Sequence, residues 1–203
     1  MTQALPDFFY SAVALYVDPL GPYPHLAAEW YDEERNAKTY AGPYPVVAHP
    51  PCGPWSSLRS LSRETTKDCA PHALEMVRRY GGVLEHPAGS TFFDFAGLPR
   101  PGRLPDAFGG ITFEVQQCDW GHPARKRTWL YVVGLRELPP PAPPAREPTH
   151  WCSGGGTGRG RTPPGIKVCS AQQRRRTPPA FARWLLELAA RCSVPRQSEE
   201  GAK

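Results

Sequence analysis

Residues 44–55 read YPVVAHPPCGPW. The run Val46-Val47-Ala48 is apolar and β-branched and stops at prolines and a glycine, which predicts a buried strand over 44–50 leading into a stiff loop. Cys52 stands in that loop, directly after Pro51 and before Gly53-Pro54. A cysteine beyond a strand is most often a small buried hydrophobe. A rigid loop poor in side chains instead presents its thiol to a ligand.

Similar apolar runs recur on both sides. SAVALYVDP (11–19) predicts a buried strand stopped by Pro19, and GVLEHP (82–87) a short strand that is apolar up to Glu85. GGITFEVQQCDWG (109–121) alternates with period two, as an edge or antiparallel strand does, and TWLYVVGL (128–135) is a continuous strand-like run. Between them, EWYDEERNAKTY (29–40) carries helix formers and reads as a short helix. KDCAPHALEMVRRYGG (67–82) reads as a helix with an apolar stripe at Ala73, Leu74, Val77 and Tyr80, ended by Gly81-Gly82. Strands alternating with helices predict an α/β sheet, here one catalytic domain over residues 1–136.

Composition then changes. RELPPPAPPAREP (136–148) is proline-rich, and CSGGGTGRGRTPPG (152–165) is glycine-rich and basic, so 137–176 reads as an extended linker or loop. TPPAFARWLLELAARC (177–192) predicts an amphipathic helix with Thr177 as N-cap, prolines in its first turn and apolar residues at 181, 184, 185 and 188. That face needs a surface, so the helix is expected to dock on the main domain, with 193–203 as a disordered tail.

The 203 residues suffice for one core. No apolar stretch of membrane-spanning length occurs, and the N-terminus lacks a basic region ahead of its apolar part, so the expected location is the cytoplasm. Six widely spaced cysteines suggest free thiols. A formal charge of +5 and an isoelectric point near 9.0 are compatible with a polyanionic partner without demanding one.

Three polar groups mark strand ends: Cys52, Glu85 and the basic cluster Arg125-Lys126-Arg127. In an open α/β sheet the carboxyl ends of the strands form the ligand crevice. Cys52 and Glu85 fit that position. The basic cluster precedes its strand and joins them only if that strand runs the opposite way. Simpler roles remain for each: Glu85 as a charge at the start of a helix begun by HPAGS, the basic cluster as a solvated turn, and SGGGTGRGR as a linker.

Together these segments resemble the DNA cytosine carbon-5 methyltransferases. PPCGPWSS looks like that family's P-C-x-x-[FW]-S loop, GGVLEHP resembles its strand ending in the E-N-V glutamate, and QQCDWGHPARKRTWLYVVG is similar to its Y-G-V-P-Q-x-R-x-R-x-[FV]-[IV]-x-G segment. The three stand in the family's order over about residues 44 to 135. The resemblance implies a Rossmann-like, methyltransferase-type sheet in a single domain, followed here by the Pro/Gly-rich extension and the docked helix. It makes Cys52 the nucleophile that adds to carbon 6 of cytosine. Glu85 would bind the exocyclic amine and protonated ring nitrogen, using a raised pKa or a shared proton. Arg125 and Arg127 would stabilise the adduct, and the base would be single-stranded or flipped out of DNA. Pro51, Trp55, Ser56, His86, Lys126, Arg159 and Arg161 are the candidate substrate contacts. S-adenosylmethionine is the implied methyl donor, with Asp18, Glu29 and Asp32 the candidates for holding it.

The chain also departs from the family. The Gly-rich F-x-G-x-G-G turn is replaced by YVDPLGPYPHL, His86 stands for the asparagine, Ala124 for the glutamine, and no length remains for a target-recognition domain. A partner protein supplying target recognition is one way to meet that gap. The same adduct without the cofactor would serve cytosine deamination or handling of a carbon-5 substituent, and a catalytically silent DNA-binding remnant is the third reading. No metal is expected: His49 with Cys52 and Cys118 with His122 have ligand-like spacing, but prolines stiffen the first pair and no C-x-x-C exists.

Overall fold

Parallel pairing of the apolar runs builds the sheet. The computed structural model describes residues 10–56, 67–152 and 165–194. Strands β1 (Tyr10–Leu15), β2 (Ala27–Tyr31), β3 (Val46–Ala48) and β4 (Gly82–Pro87) run parallel. They are followed by β5 (Ile111–Gln116) and β6 (Arg127–Val133), in the spatial order β2-β1-β3-β4-β6-β5. β6 is antiparallel to both β4 and β5, so the mixed sheet closes on β5 as an antiparallel edge.

Period-two alternation divides the core into two layers. Val13, Leu15, Val46, Ala48 and Leu84 face helices α1 (Cys69–Tyr80) and α2 (Thr91–Phe95). Ala12, Ala14, Val47, Val83, Leu130 and Val132 face α4 (Pro179–Ala190). Helix α4 lies across β1, β3 and β4 and buries Phe181, Leu185, Leu186 and Leu188, each contributing about 2 kcal/mol of apolar burial. The proline-rich strand of chain before it is tied to α4, because the Trp184 indole N–H donates to the Pro140 carbonyl and Arg191 to the Leu138 carbonyl. Short elements follow it: β7 (His150–Trp151) pairs parallel with β8 (Lys167–Val168), and α3 (Ala171–Arg175) starts at a Ser170–Gln173 capping box.

Gly82 shows why β3 and β4 sit so close. It has φ of +119°, and a Cβ there would collide with the Val46 backbone.

Three local expectations are corrected. Residues 29–40 do not form a helix: 27–31 are β2, and the rest is turn with a single 3-10 turn at Ala37–Thr39. Helix preferences of a few tenths of a kcal/mol per residue yield here to pairing with β1. The Asp32 and Asn36 side chains also bond the backbone N–H groups of Arg35 and Lys38. The first strand ends at Leu15, not at Pro19, because Tyr16 turns the chain with φ of 60°. Helix α4 is not capped by Thr177; it begins at Pro179 after extended Pro178, with no side-chain cap. No helix among the described residues is long and apolar enough to cross a membrane, and all six cysteines are free thiols.

Candidate active site at the carboxyl edge of the sheet

The reversal of β6 decides the site. Parallel β1 to β4 leave their carboxyl ends on one edge, and antiparallel β6 brings its start to that same edge. Asp18, Asp32, Cys52 and Glu85 therefore share an edge with Arg125-Lys126-Arg127. The point where strand order reverses, between β1 and β3, opens on it.

Cys52 lies in the loop after β3 and is exposed. Its thiol pKa is raised, first by desolvation from the protein around it and then by the Glu85 carboxylate, while Lys126 and Arg175 pull the other way. The raised pKa keeps Cys52 in its thiol form rather than as a thiolate.

Glu85 is the anchored partner. Its side chain is 12% exposed. His49 Nδ1 lies 3.0 Å from Oε2, and the Gln117 amide donates to Oε1 at 3.2 Å and to Thr128 Oγ1 at 3.0 Å. Burial would raise its pKa, but the bond and charge of His49, with Lys126 and His86 behind them, outweigh it and hold the carboxyl at about 2. An ionised carboxylate only accepts, so His49 Nδ1 carries the hydrogen of that bond. On the far side of the ring, Nε2 meets the buried Tyr23 hydroxyl at 2.5 Å. The Glu85 pKa is thus lowered, not raised, and its carboxylate is hydrogen-bonded to His49.

Of the basic cluster, Lys126 acts electrostatically on both Cys52 and Glu85. It sits at φ of 39°, a left-handed conformation that non-glycine residues adopt sparingly and that gathers at functional sites. Its neighbours are directed elsewhere. Arg127 makes a bidentate pair with Glu114 at 2.6 and 2.8 Å, because the hairpin register sets it diagonally opposite that carboxylate. Arg125 points to Glu147 at 3.9 Å.

Two expected substrate contacts are core residues. Trp55 is buried against Phe92 and Phe95, and its carbonyl accepts from Ser90 and Thr91. It pins the Cys52 loop to α2. His86 is fully buried, bonded through Nδ1 to Ser90. Alternation along β4 sends it to the face opposite Glu85, and burial lowers its pKa to about 4. Pro51 and Ser56 stay at the loop's partly exposed rim, where Ser56 Oγ bonds the Gly53 carbonyl. Arg159 and Arg161 lie outside the described residues.

The expected cofactor carboxylates line the β1–β2 end of the edge. Glu29 is half-buried and uses one oxygen to accept from the Tyr31 hydroxyl, and Asp18 is exposed and caps the Leu20 amide. Asp32 is buried and closes its own turn. The Glu29 carboxylate thus bonds a neighbouring side chain, whereas that of Asp32 bonds the backbone of its own turn. Among the described residues, no three His, Cys, Asp or Glu side chains gather as a metal site.

Sequence reasoning weighed His49 only as half of a zinc pair and missed Tyr23, Gln117 and Thr128. The available signal was phase: His49, two residues beyond Val47, and Glu85, two beyond Val83, share the α4 face of adjacent strands. No local signal marks Tyr23. No family model, curated protein or solved structure matches the chain.

Proposed function

We propose that this chain modifies cytosine in DNA through covalent addition of Cys52 to carbon 6 of the base, activating carbon 5 to accept a methyl or other one-carbon group. What supports the reading is one observation: the three segments that resemble the cytosine methyltransferases, far apart in sequence, converge on one sheet edge, where Glu85 and Lys126 act on the Cys52 thiol.

In this reading the Cys52 thiolate forms the sulfur–carbon 6 bond, and the electrons of the 5,6 double bond move to carbon 5. Ring nitrogen 3 gains a proton through Glu85, drawn from the hydrogen shared with His49, and Glu85 accepts from the exocyclic amine. Lys126 takes the charge-stabilising place that the family gives to arginine. Carbon 5 uses that electron pair to bond the incoming one-carbon group, which leaves its donor without the bonding pair. Loss of the carbon 5 proton then expels Cys52 as a thiolate and restores the 5,6 double bond, and ring nitrogen 3 returns its proton to the Glu85–His49 pair. Glu29, with Asp18, is the group suited to hold the ribose end of S-adenosylmethionine, which when bound supplies an electrophilic methyl group. The substrate strand is single or carries a flipped-out base.

A second reading is favoured by the turn after β1. Pro19, Leu20, Gly21 and Pro22 follow it, with Asp18 folded onto Leu20, and the glycine cradle is missing. The same adduct without the cofactor would serve deamination at carbon 4 or removal of a carbon-5 substituent.

Intact-protein mass spectrometry with an oligonucleotide containing 5-fluorocytosine tests both. An adduct that needs S-adenosylmethionine and is absent in Cys52→Ser supports methyl transfer. An adduct formed without it supports the second reading. DNA binding with no adduct under either condition leaves a silent DNA-binding remnant and overturns both.

A further inference from the structure

A basic segment is tied to the stretch that leads into β6 from a part of the sequence that none of the family-like segments includes. Residues 167–176 carry Lys167, Arg174, Arg175 and Arg176. Three independent ties bring this segment to the site edge. The His122 imidazole Nε2 lies 2.9 Å from the Gln173 carbonyl, Lys126 Nζ donates to the Arg176 carbonyl at 3.4 Å, and β7 bridges through His150 to Ala124 while pairing with β8. Residues 122 to 126 lead directly into β6, so the segment is fastened to the stretch that delivers Lys126.

The side chains carried there are charged and outward. Arg174, Arg175 and Arg176 are exposed, and Lys126 reaches the backbone of the last of them. Among the described residues, Arg175 and Arg176 form no ion pair within 4.0 Å. Antiparallel β6 starts on the edge where the Cys52 loop leaves β3, so the segment fastened to residues 122–126 stands on the same edge as Cys52. Exposed guanidinium groups such as those of Arg175 and Arg176 match a row of phosphodiesters, which they can bind in forked pairs.

We propose that Arg175 and Arg176, with Lys126, form the phosphate-binding track that holds a DNA strand across Cys52. This rests on the cytosine-modifying reading above and gives it a grip on the backbone of the substrate strand. Such a track positions a strand without reading its bases.

The test measures binding of fluorescently labelled single-stranded and duplex cytosine-containing oligonucleotides between 50 and 200 mM salt. Each lost phosphate contact flattens the slope of log affinity against log salt by about 0.7 for a single strand or 0.9 for a duplex. Arg175→Gln/Arg176→Gln is expected to flatten it by about 1.4 to 1.8, so that the variant's affinity falls about tenfold less across the range. Arg175→Lys/Arg176→Lys should restore most of the slope. Arg79→Gln/Arg103→Gln, which removes the same charge from exposed positions elsewhere, should leave it unchanged. Wild-type binding with an unaltered slope in the 175/176 glutamine variant overturns the track alone, as does equal flattening by the 79/103 variant. Failure of the wild type to bind either oligonucleotide overturns the track together with the cytosine-modifying reading.

Discussion

Replacing His49 by Phe removes the strongest restraint on Glu85 and should make stability depend on pH in a calculable way. A carboxyl held at about 2 against an ordinary 4.5 contributes about 3 kcal/mol to folding at pH 7. Because the folded value lies below the unfolded one, this stability is complete above pH 4.5 and is lost as pH falls toward 2. At pH 3 the same two values leave about 1.4 kcal/mol. His49→Phe also strands the buried Tyr23 hydroxyl, costing about 1 to 3 kcal/mol that does not vary in this range. The variant should therefore lose at least about 4 kcal/mol at pH 7, and the loss should shrink by about 2 kcal/mol by pH 3. Urea unfolding followed by tryptophan fluorescence measures both. In a Glu85→Gln background the pH-dependent part of the His49 effect should vanish. A His49→Phe cost that is equal at pH 7 and pH 3 would refute the coupling, and with it the account of Glu85 as a carboxylate held by His49.

Three further outcomes follow from other parts of the fold. Since the Cys52 pKa is raised above 9.0, alkylation of Cys52 by iodoacetamide, read by peptide mass spectrometry, should accelerate about tenfold per pH unit from 7 to 9; a plateau below pH 8 would mean that Lys126 and Arg175 prevail over burial and Glu85. Burial holds His86 at about 4 against 6.5, so the unfolded chain binds its proton first and stability should drop by about 3 kcal/mol as pH falls from 6.5 to 4. His72 and His122, also lowered by burial, add to that drop. Replacing His86 by Leu should flatten that limb, and an unchanged limb would remove the assignment. Gly82→Ala should cost about 3 kcal/mol or more, because its Cβ meets the Val46 backbone at positive φ; near-wild-type urea stability would show that β3 and β4 can separate at little cost.

Continuous apolar runs bounded by proline and glycine were readable because strand burial writes directly into residue type. GVLEHP became β4 at the expected residues, and the helix ending at Gly81 began and stopped close to its signals. The 29–40 segment failed for the opposite reason. Its residues favour a helix locally, and only the presence of β1 alongside makes a strand of Ala27–Tyr31. The position of Cys52 and Glu85 at the carboxyl edge of the sheet was legible from the strands that precede them. The burial of Trp55 and His86 was not legible, since a motif position reveals neither which face of β4 His86 takes nor that α2 packs over the turn holding Trp55.

By itself the sequence determined the apolar strands, the amphipathic last helix, the stiff Cys52 loop and the basic character of 167–176, all of which depend on neighbours along the chain. Tertiary structure alone decided that β6 runs backward, which carries Lys126 to the edge holding Cys52 and Glu85. It also decided that His49, Tyr23 and Gln117 close around Glu85, and that the arginines after β8 arrive at the same place. Strand direction and the meeting of residues dozens of positions apart arise from pairing and packing across the sheet, and no local window of sequence contains that information.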